Sequence, residues 1–306
     1  MKAVVYKRYG PPEVLQIAEV EKPTAKPDEV VIKNHATTVH VGDTRMRGCR
    51  VPWLFWIPMR LYLGVFHPKS QILGMEVSGI IDSVGEEVKE FKKGDEVFAL
   101  AGFGGGYAQY SSVKAIDGDE KNGMVVLKPS NLSFEEAAAV PAGALTALLH
   151  MRKVNVESGK RILIYGASGS VGSFAVQIAK YFGGQVTGVC SPKNVDLVKS
   201  LGADKAVDYT KQDFSKTNER YDIVFDAVFK ASRSQCKKIL KKEGIYDSSH
   251  AKIPDVKTED LIFLKELIEK NKLKPVIDKT YSMDQIVEAH RYVDRGHKRG
   301  NVVVRI

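Results

Sequence analysis

The residues best suited to chemistry form a glycine loop and the turn that follows the next strand pattern. Arg161-Ile-Leu-Ile-Tyr165 runs directly into Gly166-Ala-Ser-Gly-Ser-Val-Gly172, and an apolar-periodic stretch follows. Strand, glycine-rich turn, helix is the order that presents backbone N–H groups and a helix N-terminus to a pyrophosphate. Gly169 lets the backbone approach an anion, and Gly172 lets the helix pack close on the strand. Ala167 stands where the G-x-G-x-x-G fingerprint has its first glycine. A tight strand–helix turn with no ligand fits the same letters, and the βαβ context favours the cofactor. The next strand pattern, 185–189, ends in Cys190-Ser-Pro-Lys-Asn194. An NAD-type site places Asp or Glu at this tip to hold the ribose 2′-hydroxyl. Here Ser191 and Lys193 suit the 2′-phosphate of NADPH, which an acid would repel. A polar turn capped by Ser191 or Asn194 is the alternative.

The elements that position these residues follow from periodicity. Residues 1–6, 30–36, 72–84, 96–101 and 107–113 read as strands separated by Gly and Pro turns, suggesting a small barrel or partly open sheet. Ser133 and Glu136 have capping-box spacing. Beyond 161 the pattern alternates. Strand candidates are 161–165, 185–189, 206–209, 222–227 and 244–247, and helix candidates are 171–182, 194–201 and 232–240. That alternation predicts a doubly wound parallel sheet. Helices at 258–271 and 283–293 and a strand at 301–306 complete the chain.

Composition narrows the function classes. The chain has 306 residues, 43% hydrophobic and 27% charged, which suits two globular domains and excludes a disordered chain. Three well-separated cysteines (Cys49, Cys190, Cys236) exclude a disulfide scaffold or a four-cysteine zinc lobe and point to a reducing, cytoplasmic setting. Lys2, Lys7 and Arg8 precede polar, proline-containing sequence, not a secretory core, and no stretch has the ~20 apolar residues of a membrane helix. The net charge of +9 is spread along the chain, and short runs such as His297-Lys298-Arg299 read as solvated faces, so a nucleic-acid partner is not expected.

The chain resembles the zinc-independent medium-chain dehydrogenase/reductases, close to the quinone oxidoreductases. The likeness rests on Met1-Lys-Ala-Val-Val-Tyr6, Leu73-Gly-Met-Glu-Val-Ser-Gly79, Phe91-Lys-Lys-Gly-Asp-Glu-Val-Phe98, Pro141-Ala-Gly-Ala-Leu-Thr146, the Gly166–Gly172 loop, Leu201-Gly-Ala-Asp204 and Gly300-Asn-Val-Val303. The resemblance implies a GroES-like β-rich catalytic domain (1–125 and 272–306) and a shortened Rossmann domain (126–271), with NADPH in the cleft between them. It places Ala142 and Thr146 near the nicotinamide, and Gly166, Ser168, Gly169, Ser170, Val171 and Gly172 at the pyrophosphate. It places Ser191, Lys193 and Tyr209 at the 2′-phosphate, and Asp226, Ala227, Val228 and Asn301 along the rest of the trough.

Zinc-dependent relatives carry Gly-His-Glu where this chain reads Gly74-Met75-Glu76, and a thioether is a poor zinc ligand. His35 and His40 are five apart, but read as ordinary loop or strand histidines. No metal is expected. Without a Lewis acid, the reaction implied is hydride transfer to an already electrophilic quinone or α,β-unsaturated carbonyl, with hydrogen-bond donors meeting the charge on oxygen. Family position nominates His40 as a donor to the acceptor oxygen or to the nicotinamide ribose, and Tyr107 as a proton donor, or as a packing residue. The aromatic segment 51–66, with Trp53, Phe55 and Trp56, is either a lid over a flat acceptor or packing for its own domain. Relatives carry another strand and more helix where residues 248–257 stand. That strand pairs two subunits in many of them, so a homodimer is expected less firmly here. The alternative function is a non-catalytic NADPH-binding, redox-sensing or RNA-binding member.

Overall fold

The computed structural model describes residues 1–49, 60–61, 63–102, 104–119, 121–252 and 254–306. The aromatic residues Trp53, Phe55 and Trp56 therefore lie outside the described residues. In chain order the strands are β1 (Lys2–Tyr6), β2 (Leu15–Glu19), β3 (Glu29–Thr38), β4 (Glu76–Val84), β5 (Glu96–Leu100), β6 (Tyr110–Lys114), β7 (Met124–Leu127), β8 (Arg161–Tyr165), β9 (Gln185–Cys190), β10 (Lys205–Asp208), β11 (Tyr221–Asp226), β12 (Leu240–Ser248), β13 (Ile277–Ser282) and β14 (Asn301–Arg305). The helices are α1 (Val41–Gly48), α2 (Phe134–Ala138), α3 (Pro141–Lys153), α4 (Ser170–Tyr181), α5 (Val195–Ser200), α6 (Arg233–Ile239), α7 (Thr258–Glu269) and α8 (Ile286–Asp294).

Two compact units emerge. One comprises 1–142, 257–262 and 277–306, and the other 143–256 and 263–276. These boundaries differ from 125/126 and 271/272, in part because α2 packs on the first unit: Ala138 and Ala139 share a buried cluster with Ala36 of β3 and Val303 of β14. The capping box at its start is present. Glu136 N donates to Ser133 Oγ at 3.2 Å, and Ser133 N donates to Glu136 Oε2 at 2.9 Å.

In the first unit, β1 and β2 form a hairpin. A seven-stranded sheet runs in the order β13-β14-β3-β4-β5-β7, with β6 also paired to β3. Val30 and Ile32 of β3, Val77 and Ile81 of β4, Val97, Val113 and Val125 form one buried cluster. Val31, between Val30 and Ile32, is buried as well, so β3 is covered on both faces there. Ile286, Ala289 and Val293 give α8 an apolar stripe that packs with Tyr107, Val302 and Val304. Strands β14, β3 and β4 are neighbours, and the C-terminal end of β3 lies beside the N-terminal ends of β4 and β14. The residues at and just beyond those ends build the first unit's polar cluster.

In the second unit, five parallel strands lie in the order β10-β9-β8-β11-β12. Near-continuous apolar strands such as Ile162-Leu163-Ile164, all buried, mark a sheet covered on both faces. The expected fold, a Rossmann sheet with a GroES-like partner domain, is what the chain forms. At the β12 edge the strand presents Lys241, Lys242 and Glu243, charges that blunt an open edge. Among the described residues no helix is long and apolar enough to cross a membrane.

Candidate functional site

In the second unit the glycine loop forms a cradle. Gly169 is the N-cap of α4 and has no side chain to cap it, so the first amides of the helix lack intrahelical partners and face an anion site. The two later glycines serve different ends. A methyl on Gly172 would lie 2.1 Å from the Gly166 carbonyl oxygen, whereas one on Gly169 would meet nothing closer than 3.5 Å. Gly172 is required by packing, and Gly169 leaves room that a phosphate fits. Ser168 and Ser170 are buried and Val171 is half-buried. Asn194, which the sequence offered only as a cap, is a buried cross-link: its Nδ2 donates to Ser168 Oγ at 2.9 Å and to Ser191 Oγ at 3.1 Å. Tyr209 N donates to the Cys190 carbonyl at 3.2 Å, which sets Tyr209 beside the Ser191 turn. Lys193 and Tyr209 are exposed there. The residues fit a phosphorylated dinucleotide.

Asp226 does not line a trough. It is fully buried, and its carboxylate accepts from Val228 N at 3.0 Å and Ala231 N at 2.7 Å. It shapes the loop carrying Ala227 and Val228, as an Asx turn does. Thr146 is half-buried on α3.

In the first unit three neighbouring strands deliver a polar cluster. Thr38, at the end of β3, donates its hydroxyl to Glu76 Oε1 at the start of β4. Glu76 Oε2 accepts from the Ala142 amide at 2.7 Å. Val39 N donates to Val302 O at 2.9 Å, which sets His40 beside the start of β14 and the buried Asn301. His40 then caps α1. Its Nδ1 accepts from Gly42 N at 3.0 Å, and its backbone N donates to Asp43 Oδ2 at 2.9 Å. Accepting at Nδ1 leaves the ring proton of the neutral imidazole on Nε2, a donor.

Asp43 is fully buried and also accepts from Gly74 N at 3.0 Å and from the Tyr107 hydroxyl. Tyr107 receives His290 Nε2 at 3.1 Å, and His290 Nδ1 receives Arg47 Nη1 at 2.8 Å. Arg47, with no exposed surface, also pairs with Asp294 at 2.6 Å. Tyr107 is therefore no open proton donor: its ring is buried and its hydroxyl is engaged on both sides. It holds Asp43, and Asp43 holds His40.

Burial sets the protonation states. It lowers His40 to about 3, leaving the imidazole neutral, with Lys298 and Arg45 pushing the same way. It raises Asp43 to about 6 and Glu76 to about 7, against the hydrogen bonds that favour their charged forms. Lys298 falls to about 8, chiefly by burial, although Glu76, Asp278 and Asp43 pull it upward. Lys298 was expected on a solvated face. It is half-buried, and the charges that act on it come from α1, β4 and β13, which no local pattern reveals.

The cluster does not suit zinc. A methyl on Gly42 would lie 3.0 Å from Met75 Sδ and 3.1 Å from His40 Nδ1, so the thioether sits beside the imidazole. Both Glu76 oxygens and His40 Nδ1 already accept hydrogen bonds. His35 stacks on Phe134 with ring centroids 4.3 Å apart. Among the described residues no three His, Cys, Asp or Glu side chains are placed to hold a metal ion.

Residues 26–120 match the family described as alcohol dehydrogenase GroES-like domain, and 170–247 and 248–304 match two families described as zinc-binding dehydrogenase. The chain is 36% identical over 326 residues to a 2-methylene-furan-3-one reductase of Solanum lycopersicum, spanning 99% of this chain and 79% of that protein. The chain belongs to the medium-chain dehydrogenase/reductases of quinone oxidoreductase type. A second relative of this family, a chloroplastic NADPH-dependent alkenal/one oxidoreductase of Arabidopsis thaliana, is 32% identical over 99% of this chain and 79% of its own. The solved quinone oxidoreductase of Coxiella burnetii superposes with a TM-score of 0.83 at 26% identity, covering 100% of this chain and 99% of that one. This medium-chain reductase thus keeps the family architecture with Met75 in place of a zinc-ligating histidine.

Proposed function

We propose that this protein is an NADPH-dependent reductase of quinones or α,β-unsaturated carbonyl compounds. The observation that carries the reading is the strand-end cluster, where a neutral His40 with its proton on Nε2 stands beside Met75 instead of a metal-ligand set. Relatives named a 2-methylene-furan-3-one reductase and an NADPH-dependent alkenal/one oxidoreductase support it.

Bound NADPH supplies the hydride. Gly169 and the first turn of α4 receive its pyrophosphate, and Ser191, Lys193 and Tyr209 receive the 2′-phosphate. Negative charge collects on the acceptor oxygen as hydride arrives at carbon, and donors fixed in advance stabilise it without reorganising. His40 Nε2–H is such a donor. Gly42 N fixes the ring by donating to Nδ1, and Asp43, held in turn by Tyr107 and His290, fixes the His40 backbone that carries the ring. His40 thus meets the acceptor, and Tyr107 positions.

The test is the loss of NADPH absorbance with a panel of small quinones, enones and alkenals. Turnover with at least one class is expected, with higher kcat/KM for NADPH than for NADH. Tight NADPH binding with no turnover on any acceptor would leave a cofactor-binding protein and overturn the reductase reading.

A further inference from the structure

Three basic residues in a row, His297-Lys298-Arg299, have different fates. His297 and Arg299 are exposed, while Lys298 is half-buried, and its ammonium donates to the Gly300 carbonyl at 2.9 Å. The turn holding it is fixed from both sides. Arg299 N donates to Asp278 Oδ2 at 2.8 Å, and two residues after Gly300 the Val302 carbonyl accepts from Val39 N at 2.9 Å. That second bond brings the turn beside His40. Four ionisable groups from three elements share the field of the Lys298 ammonium: His40 at the cap of α1 and Asp43 within it, Glu76 on β4 and Asp278 on β13. Glu76 accepts one hydrogen bond on each oxygen, from Thr38 and from Ala142, and among the described residues it makes no ion pair with Lys298. The ammonium therefore keeps donor capacity, since it carries three N–H bonds.

We propose that Lys298 is a catalytic residue, donating from Nζ to the same acceptor oxygen that His40 Nε2 meets and giving that oxygen its proton. This rests on the reductase reading above. When hydride has added to the β-carbon of an enone, the C=C pair shifts to join the α-carbon and carbonyl carbon, and the carbonyl π pair moves onto oxygen. One Nζ–H bond of Lys298 breaks with its electron pair staying on nitrogen, an O–H bond forms, and the enol leaves. The neutral amine regains a proton from water. With a quinone the same transfer yields the keto tautomer of the hydroquinone, which aromatises when the carbon that took the hydride loses a proton to water and the second oxygen gains one. A neutral His40 cannot match this step, because it has no positive charge to set against the oxygen. The depressed Lys298 pKa of about 8 makes the ammonium a stronger acid than a solvated lysine, so proton transfer to the enolate oxygen runs downhill.

The experiment compares Lys298→Met and Lys298→Arg with the unaltered enzyme, using methyl vinyl ketone and a small benzoquinone. Circular dichroism and NADPH binding confirm that each variant folds. Lys298→Met is expected to lower kcat by roughly 100-fold, the usual worth of a general acid, with NADPH affinity within about twofold. The unaltered enzyme loses kcat as pH rises through about 8, where the ammonium gives up its proton. Lys298→Met lacks that limb, and Lys298→Arg retains activity to higher pH. A readout without turnover is lysine NMR of the protein alone: the Lys298 resonance titrates near pH 8, and lower in Glu76→Gln, which removes a charge that raises it. Unchanged kcat in Lys298→Met, or a loss confined to NADPH affinity, overturns the assignment. So does a Lys298 resonance titrating like a solvated lysine. If the unaltered enzyme reduces no acceptor, the reductase reading falls first and this one with it. Turnover with an indifferent Lys298→Met overturns this one alone.

Discussion

The loop from Gly166 to Gly172 contains no ionisable side chain, while the strand-end cluster gathers His40, Asp43, Glu76 and Lys298, each shifted from its ordinary pKa. On the proposed reading the loop is an anion site made of backbone, with amides at a helix start, small side chains and one cross-linking amide from Asn194. Such a site works at any pH and depends only on shape. The cluster makes a proton-handling site out of buried charge, and desolvation is what tunes it. Substitutions should therefore fail sterically in one region and electrostatically in the other.

The sharpest break is between two glycines three residues apart. Gly172→Ala forces a methyl to 2.1 Å from the Gly166 carbonyl oxygen, which cannot move without unseating α4. A cost of about 4 kcal/mol or more is expected, enough to leave the second unit poorly folded. Gly169→Ala has ordinary space around it and should melt like the parent, yet lose about tenfold in NADPH affinity, because the methyl occupies room reserved for phosphate. Thermal melts and fluorescence titration read the two effects separately. If both variants melt alike and bind NADPH alike, the loop is packing and not a cradle.

The cluster is tested by pH. Burial raises Glu76 from 4.5 to about 7, so between those values the folded protein holds a proton that the unfolded chain has released. Its contribution to stability is full below pH 4.5 and is lost as pH rises through about 7, a change on the order of 3 kcal/mol. Glu76→Gln keeps an acceptor and removes the titration. Urea unfolding at pH 5 and pH 8 should show the parent losing markedly more stability than the variant. An equal loss in both would mean that Glu76 ionises in the fold as it does in water.

What could be read from the sequence follows from how local each feature is. Strands such as 161–165 and the Ser133–Glu136 cap were legible because a few adjacent residues determine them. Helix α1 was not, because its cap is a histidine whose ring accepts from Gly42 while Asp43 answers at the backbone, an uncommon variant of the box. The first half of β12 was hidden by Lys241-Lys242-Glu243, which reads as a loop and is an edge strand. His40 was nominated from family position alone, and its Asp43–Tyr107–His290–Arg47 support came only with the fold, since those residues lie up to 247 positions from their partners. Lys298 was read with its solvated neighbours for the same reason.

The smallest effect expected lies at the tip of β9, where the cradle has its one charged contributor. Lys193 is exposed, so water and salt screen its field, and its worth to the 2′-phosphate is modest. Lys193→Glu reverses that charge and places an acid where NAD-type sites carry one. NADPH KM should rise by roughly tenfold at low salt and less at high salt, while NADH KM stays level or improves. Ser191 and Asn194 are untouched, so the loop keeps its shape through the Asn194 cross-link. Stability should stay put, because no hydrogen bond within the fold depends on the changed side chain. Steady-state kinetics with both cofactors at two ionic strengths decide it. Equal loss for NADPH and NADH would move Lys193 from the 2′-phosphate to a part common to both. No loss for either would leave Ser191 and Tyr209 to read the phosphate alone, and the cradle would then be uncharged throughout.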